Sequence, residues 1–232
     1  MHLSRNLHNS FKLINLGRLS YSDALAEQRR YVEEVKTKRE LSGSERGYLL
    51  AVEHNPVYTI GIRTKMYDSE EDEKKLRNLG AEFHRTSRGG LITFHGPGQL
   101  VVYPIFDLRS ISPKPLGVRK YVDNLEQVII DTATEFGISR VGRTENTGVW
   151  VDGTRKIAAI GVAVSHSVSY HGIAINANVD LKWFDHIVAC GIEGVETTSF
   201  SKELHKNISP SHILPPLVQH FSRIFNAQLH QI

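Results

Sequence analysis

Two apolar runs, Thr147–Val151 and Lys156–Val164, are separated by little more than Asp152-Gly153. This dipeptide is a strong signal for a tight hairpin, because both of its residues tolerate the left-handed backbone that a two-residue turn needs. A third run, Val168–Val179, follows after a few polar residues. Three strands with short connections pair antiparallel, since a parallel pair needs a long crossover. Most of what precedes them reads as helix and strand in turn, so the expected fold class is α+β: one domain over 11–232, a largely antiparallel sheet with helices packed on one side.

The helices are read from apolar period. Ser20–Leu41 carries Ala24, Leu25, Gln28, Tyr31, Val32 and Val35 on one stripe, and Ser20 or Ser22 can cap it. Ser69–Gly80 has a serine cap, acids in its first turn and bases after them, as the helix dipole favours. Val118–Gly137 turns Val118, Tyr121, Val122, Leu125, Val128, Ile129, Thr132, Ala133 and Phe136 inward. Ser211–Leu229 reads as a closing helix with Ile213, Leu217, Phe221 and Ile224 inward. Phe11–Leu16 reads as a strand ended by Gly17, and Gly47–Glu53 as a buried strand broken by Asn55-Pro56 and resumed at Val57–Gly61. In Gly98–Leu108 the proline at 104 marks an edge or a bulge.

Composition narrows the function classes. The 232 residues are 40% hydrophobic and 23% charged, with a formal net charge of +3. That balance excludes a disordered or membrane-embedded chain and lacks the dense positive charge of a nucleic-acid binder. No apolar run reaches the ~20 residues of a spanning helix. A single cysteine permits no internal disulfide and suits a reducing compartment. The first 10 residues form a lead-in. Arg5, Lys12 and Arg18, with no acid before Asp23, are the composition of either a mitochondrial targeting segment or a plain polar start.

Three features carry chemistry. Arg88–Gln99 (RGGLITFHGPGQ) holds four glycines in twelve residues, a costly use of backbone entropy unless the chain must bend sharply or approach a ligand. It is neither a P-loop nor a dinucleotide fingerprint. Lys156 opens a strand of small and apolar residues. Strand alternation puts it on the face of Ala158 and Ile160, where burial could adapt it to proton transfer. Cys190, beside Gly191, is a nucleophile if a positive group lies near it, and otherwise a small buried hydrophobe. No histidine or cysteine spacing matches a metal site, and none is expected.

In chain order, R-G-G-L-I-T-F-H-G-P-G-Q-L-V-V-Y-P, G-V-W-V-D-G-T-R-K-I-A-A-I-G, H-G-I-A-I-N and the A-C-G loop resemble the lipoyl(octanoyl) transferases, over roughly Leu13–Phe225. The F-H-G-P-G-Q variant resembles the mitochondrial eukaryotic branch, which implies a mitochondrial location, with bacterial cytoplasm as the alternative. The resemblance implies a biotin/lipoate protein ligase-like fold. It implies transfer of octanoyl from octanoyl-acyl carrier protein to a lysine of lipoyl domains, those of 2-oxoacid dehydrogenase complexes and of the glycine cleavage H protein. It implies that Cys190 carries the acyl group as a thioester and that Lys156 tunes its ionisation. By position, Arg88, Gly89, Gly90, Leu91, Ile92, Thr93, Phe94, His95, Ala159, Ile160, Gly161, Gly172, Ile173 and Ala174 would line the acyl pocket. No cofactor is implied. Two other readings share these residues: an ATP-dependent lipoate or biotin protein ligase, which needs no nucleophilic cysteine, and a non-catalytic module binding an acyl chain or a carrier protein.

Overall fold

A computed structural model describes residues 9–38, 47–63, 67, 69–111, 114–188 and 195–231. The chain runs β1 (Asn9–Leu19), α1 (Tyr21–Lys38), β2 (Gly47–His54), β3 (Val57–Ile60), α2 (Glu70–Asn78), β4 (Glu82–Arg85), β5 (Thr93–His95) and β6 (Gln99–Phe106). It continues through α3 (Val118–Glu135), β7 (Val141–Gly142), β8 (Val149–Val151), β9 (Arg155–Ser165) and β10 (Val168–Asn176). A 3-10 turn (Leu181–His186), β11 (Glu196–Thr197), α4 (Phe200–Leu204), α5 (Pro210–Phe225) and β12 (Ala227–Gln231) complete it.

The main sheet has the order β12-β1-β2-β6-β10-β9-β8-β7, with β11 alongside β9. From β2 to β7 every neighbour is antiparallel, whereas β12, β1 and β2 are mutually parallel. Both hairpin turns around β9 are left-handed at two successive residues, Asp152-Gly153 and His166-Ser167. These are the conformations whose twist matches the flanking strands.

Helices cover both faces of this sheet rather than one. Alternation along β2 and β6 shows how. Leu49, Ala51, Leu100, Val102 and Phe106 pack with α3 and α5, while Leu50, Val52, Val101, Tyr103 and Ile105 pack with α1. Central strands buried on both sides are apolar along nearly their whole length, and β6, buried throughout, is so from Leu100 to Phe106. A second sheet, β4-β3-β5, lies apart with its own core of Tyr58, Ile60, Leu76, Phe83 and Phe94. Asn55-Pro56 therefore diverts the chain into another sheet instead of merely interrupting a strand.

Four further expectations change. Gly17 does not end β1: the register shifts between Asn15 and Arg18, and the strand continues to Leu19. Pro104 is not at an edge but opposite Leu49 in the middle of the sheet. The β6–β10 ladder stops at Val102, and the Ser169 hydroxyl takes its place by donating to Pro104 O (3.0 Å) and accepting from Phe106 N (3.1 Å). The last helix stops at Phe225, because Asn226 turns left-handed (φ 48°) and β12 pairs with β1. Val118 points outward, 47% exposed, at the start of α3.

Candidate active site

The glycine-rich segment forms a roof over the sheet. Gly89 N donates to Val162 O (3.0 Å) on β9, and Ile62 N donates to Arg88 O (3.0 Å) beyond β3. The segment thus bridges the small sheet and the large one. Contact is close enough that a Cβ on Gly161 would lie 2.9 Å from Gly89 O. Arg88 is buried and locks the roof. Its guanidinium donates to Thr59 O (2.5 Å), Thr59 Oγ1 (2.9 Å) and Gly89 O (3.0 Å).

Under the roof runs a narrow slot. Arg88, Gly90, Leu91, Thr93 and His95 line it from above, and Ala159, Ile160, Gly161, Gly172, Ile173 and Ala174 from the sheet. Ile92 and Phe94 do not line it. They pack into the small sheet's core, where Phe94 stacks on Trp183 at 4.8 Å. Gly89 lines the neighbouring cavity instead.

That neighbouring cavity contains Lys156 and shares Gly90, Leu91, Ile160 and Gly161 with the slot. Lys156 is not on the face of Ala158 and Ile160, as simple alternation predicts. Val149 pairs with Ala158 but its neighbour Trp150 pairs with Lys156, so one extra residue is accommodated in β9. Such a bulge reverses the side-chain faces beyond it. Ile157 and Ala158 both enter the α3 core, and Lys156 turns to the face of Ala159 and Gly161, where the slot lies. Its Nζ sits 4.8 Å from the Trp150 ring centroid, a cation–π contact, and only a glycine at 148 leaves room for its Cε. Cys190 lies outside the described residues.

Four residues not assigned to the pocket from sequence complete the slot: Val101, Tyr103 and His171, which lie within the quoted motifs, and Tyr21, which lies outside them. They come from three different elements, α1, β6 and β10, which only packing brings together. Behind the roof, His95 Nδ1 donates to Gln99 Oε1 (2.7 Å), Gln99 Nε2 to Asn176 Oδ1 (2.9 Å), and Asn176 Nδ2 to Thr198 O (2.9 Å). Thr198 N in turn donates to Lys156 O (2.9 Å). A buried hydrogen-bond chain therefore ties the roof to the strand that carries the lysine. Burial, reinforced by the positive charge of Arg88, pushes His95 and His171 down to about 3. Burial pushes Tyr21 up to about 12. The walls are thus neutral at physiological pH, apart from a guanidinium already committed to carbonyls. Such a slot suits an uncharged, apolar ligand. Among the described residues no group of three or more His, Cys, Asp or Glu is placed to hold a metal ion, and no helix is long and apolar enough to cross a membrane.

Comparison with known proteins places this architecture. Residues 20–222 match the family of the lipoyl protein ligase A/B catalytic domain. The chain is 44% identical over 218 residues to the mitochondrial octanoyl-[acyl-carrier-protein]:protein N-octanoyltransferase of Danio rerio, covering 94% of this chain and 93% of that one. It is 40% identical over 220 residues to an octanoyltransferase of Koribacter versatilis, covering 94% and 85%. Among solved structures, lipoate-protein ligase A bound with ATP superposes with a TM-score of 0.72 at 13% identity, over 97% of this chain and 89% of that one. A biotin protein ligase from Aquifex aeolicus reaches 0.54 at 12% identity, over 93% and 70%. The fold is that of the biotin and lipoate protein ligases, and the chain belongs to the lipoyl protein ligase A/B family, within it to the octanoyltransferases.

Proposed function

We propose that this protein is an acyltransferase that moves an octanoyl group from octanoyl-acyl carrier protein to a lysine of a lipoyl domain, through a thioester on Cys190. The observation that carries this reading is the junction of an apolar slot with the Lys156 cavity at Gly90, Leu91, Ile160 and Gly161. Seven methylene or methyl groups at ~0.8 kcal/mol each give roughly 5–6 kcal/mol of transfer free energy in such a slot. Acceptors are the lipoyl domains of 2-oxoacid dehydrogenase complexes and the glycine cleavage H protein, and the location is mitochondrial, like that of the Danio rerio relative.

In the first half-reaction the Cys190 thiolate attacks the carrier thioester carbonyl. The C–S bond to the carrier breaks, and its thiol departs with a proton supplied by Lys156. In the second, the acceptor lysine amine attacks the Cys190 thioester, an amide forms, and the thiolate is released. Lys156 takes the amine's proton. A free cysteine is only a few per cent ionised at neutral pH, so a nearby ammonium raises the reactive fraction. Support for pairing the two residues comes from β11. The chain that follows the Cys190 segment runs parallel to β9 with Thr197 opposite Lys156.

Intact-mass spectrometry tests this. Wild type mixed with octanoyl-acyl carrier protein and no ATP gains one octanoyl group, and a lipoyl domain added afterwards receives it as an amide. Cys190→Ser forms no adduct. Lys156→Met, which keeps the length of the side chain, slows adduct formation by about 10²-fold or more. Modification of the lipoyl domain only with ATP and free octanoate or lipoate would show a ligase instead.

A further inference from the structure

The floor of the slot crosses three strands. Ala159 and Gly161 on β9 come first, then Gly172 and Ala174 on β10, then Val101 and Tyr103 on β6. The residues shared with the Lys156 cavity put the mouth at β9. Small side chains at Ala159, Gly161, Gly172 and Ala174 keep the crossing open until β6, where Tyr103 presents its ring, its centroid 6.4 Å from that of His171 on β10. It is held from behind: its hydroxyl hydrogen-bonds to His54 Nε2 at 2.6 Å, and both residues are buried. Tyr21 and His95 pack around the same imidazole, with ring centroids 5.4 and 5.8 Å away. A buried ring tied by a hydrogen bond to a packed imidazole cannot swing aside as a lone surface side chain would.

The dimensions match a particular chain. Neighbouring strands are about 4.8 Å apart, so β9 to β6 spans ~10 Å. An extended chain advances ~1.2 Å per bond, taking a residue of three bonds as 3.6 Å. The seven C–C bonds of an octanoyl group then need ~8 Å, the nine of decanoyl ~11 Å, and the eleven of dodecanoyl ~13 Å. We propose that Tyr103, backed by His54, is the stop that limits the acyl chain to about eight carbons. This rests on the acyl-transfer reading above.

The test uses the full chain and acyl carrier protein charged with hexanoyl to tetradecanoyl groups, with kcat/KM for enzyme acylation read by intact mass. Wild type peaks at octanoyl. Tyr103→Leu shortens the wall and raises the dodecanoyl-to-octanoyl ratio on the order of tenfold, the effect of two further buried methylenes. Tyr103→Phe keeps the ring and leaves that ratio within about twofold. Ala174→Leu fills the crossing from the floor and moves the optimum to hexanoyl, which keeps the test open if Tyr103→Leu does not fold. An octanoyl-active Tyr103→Leu with an unchanged ratio, or an octanoyl-active Ala174→Leu with an unchanged optimum, overturns the stop. Failure of wild type to take any chain from the carrier overturns the transferase reading itself, so the two failures are distinct.

Discussion

Three buried histidines make stability depend on pH in a window where carboxylates contribute little. Burial holds His54 at about 4, and burial with Arg88 nearby holds His95 and His171 at about 3, against an ordinary value of 6.5. The folded values lie below the unfolded one, so the unfolded chain binds more protons between them and stability rises with pH there. The contribution is complete above about pH 6.5 and is lost as pH falls toward the folded values. Between pH 7.5 and 5.5 each histidine gives up about 1.4 kcal/mol, and the three together about 4 kcal/mol. The result needs only that each folded value lie below about 5. A loss of that size is a large part of the ~5–15 kcal/mol that stabilises a typical domain.

Urea unfolding followed by fluorescence of Trp150 and Trp183, repeated at both pH values, measures the difference directly. His171→Asn sharpens the assay. Position 171 is left-handed (φ 55°), a conformation asparagine tolerates, and asparagine does not titrate. The variant's pH dependence should be smaller by about one third. A wild-type difference under about 1 kcal/mol would refute the assignment of these side chains as buried and neutral.

The site floor gives two further predictions. In Gly172→Ala the new methyl would meet Val102 O at 2.2 Å and Pro104 Cδ at 2.6 Å, so calorimetry should show a loss of about 1–3 kcal/mol. Ser169→Ala removes the hydroxyl that substitutes for the ladder beside Pro104 and leaves Phe106 N–H buried without its partner. Chemical denaturation should find it less stable by about 1–3 kcal/mol, and a neutral result would mean that this amide finds another acceptor.

Elements with a local physical cause were legible in the sequence. The Asp152-Gly153 hairpin follows from turn chemistry, and the buried stripe of α1 follows from its period. The Ser69 cap follows from a hydroxyl three residues before a free amide: Ser69 Oγ accepts from Asp72 N at 3.1 Å. The residues of the glycine-rich roof and of β9 and β10 could be named because their motifs are contiguous. Three features had no such cause. Asn226 ends α5 in a conformation that glycine more often signals, so the return as β12 was hidden inside an apparently continuous helix. Pro104 reads as an edge or bulge residue until a serine 65 positions away is seen to donate to its carbonyl and accept from Phe106 N where the ladder is broken. Ile92 and Phe94 belong to the roof in sequence and to the small sheet's core in space, because alternate residues of an extended segment face opposite ways.

By itself the sequence determined the long strands and helices, the Asp152-Gly153 turn and which short segments carry glycine, lysine and cysteine. Each of those depends on interactions within a few residues. Only the tertiary structure decided that Lys156 faces the slot, because the bulge that turns it is a property of the pairing with β8. The same holds for the end of the slot. Tyr21, His54, His95 and Tyr103 are spread over more than eighty positions and meet only once α1, β2, β5 and β6 have packed. Their burial and shifted titration have no counterpart in the unfolded chain, where each is solvated alone.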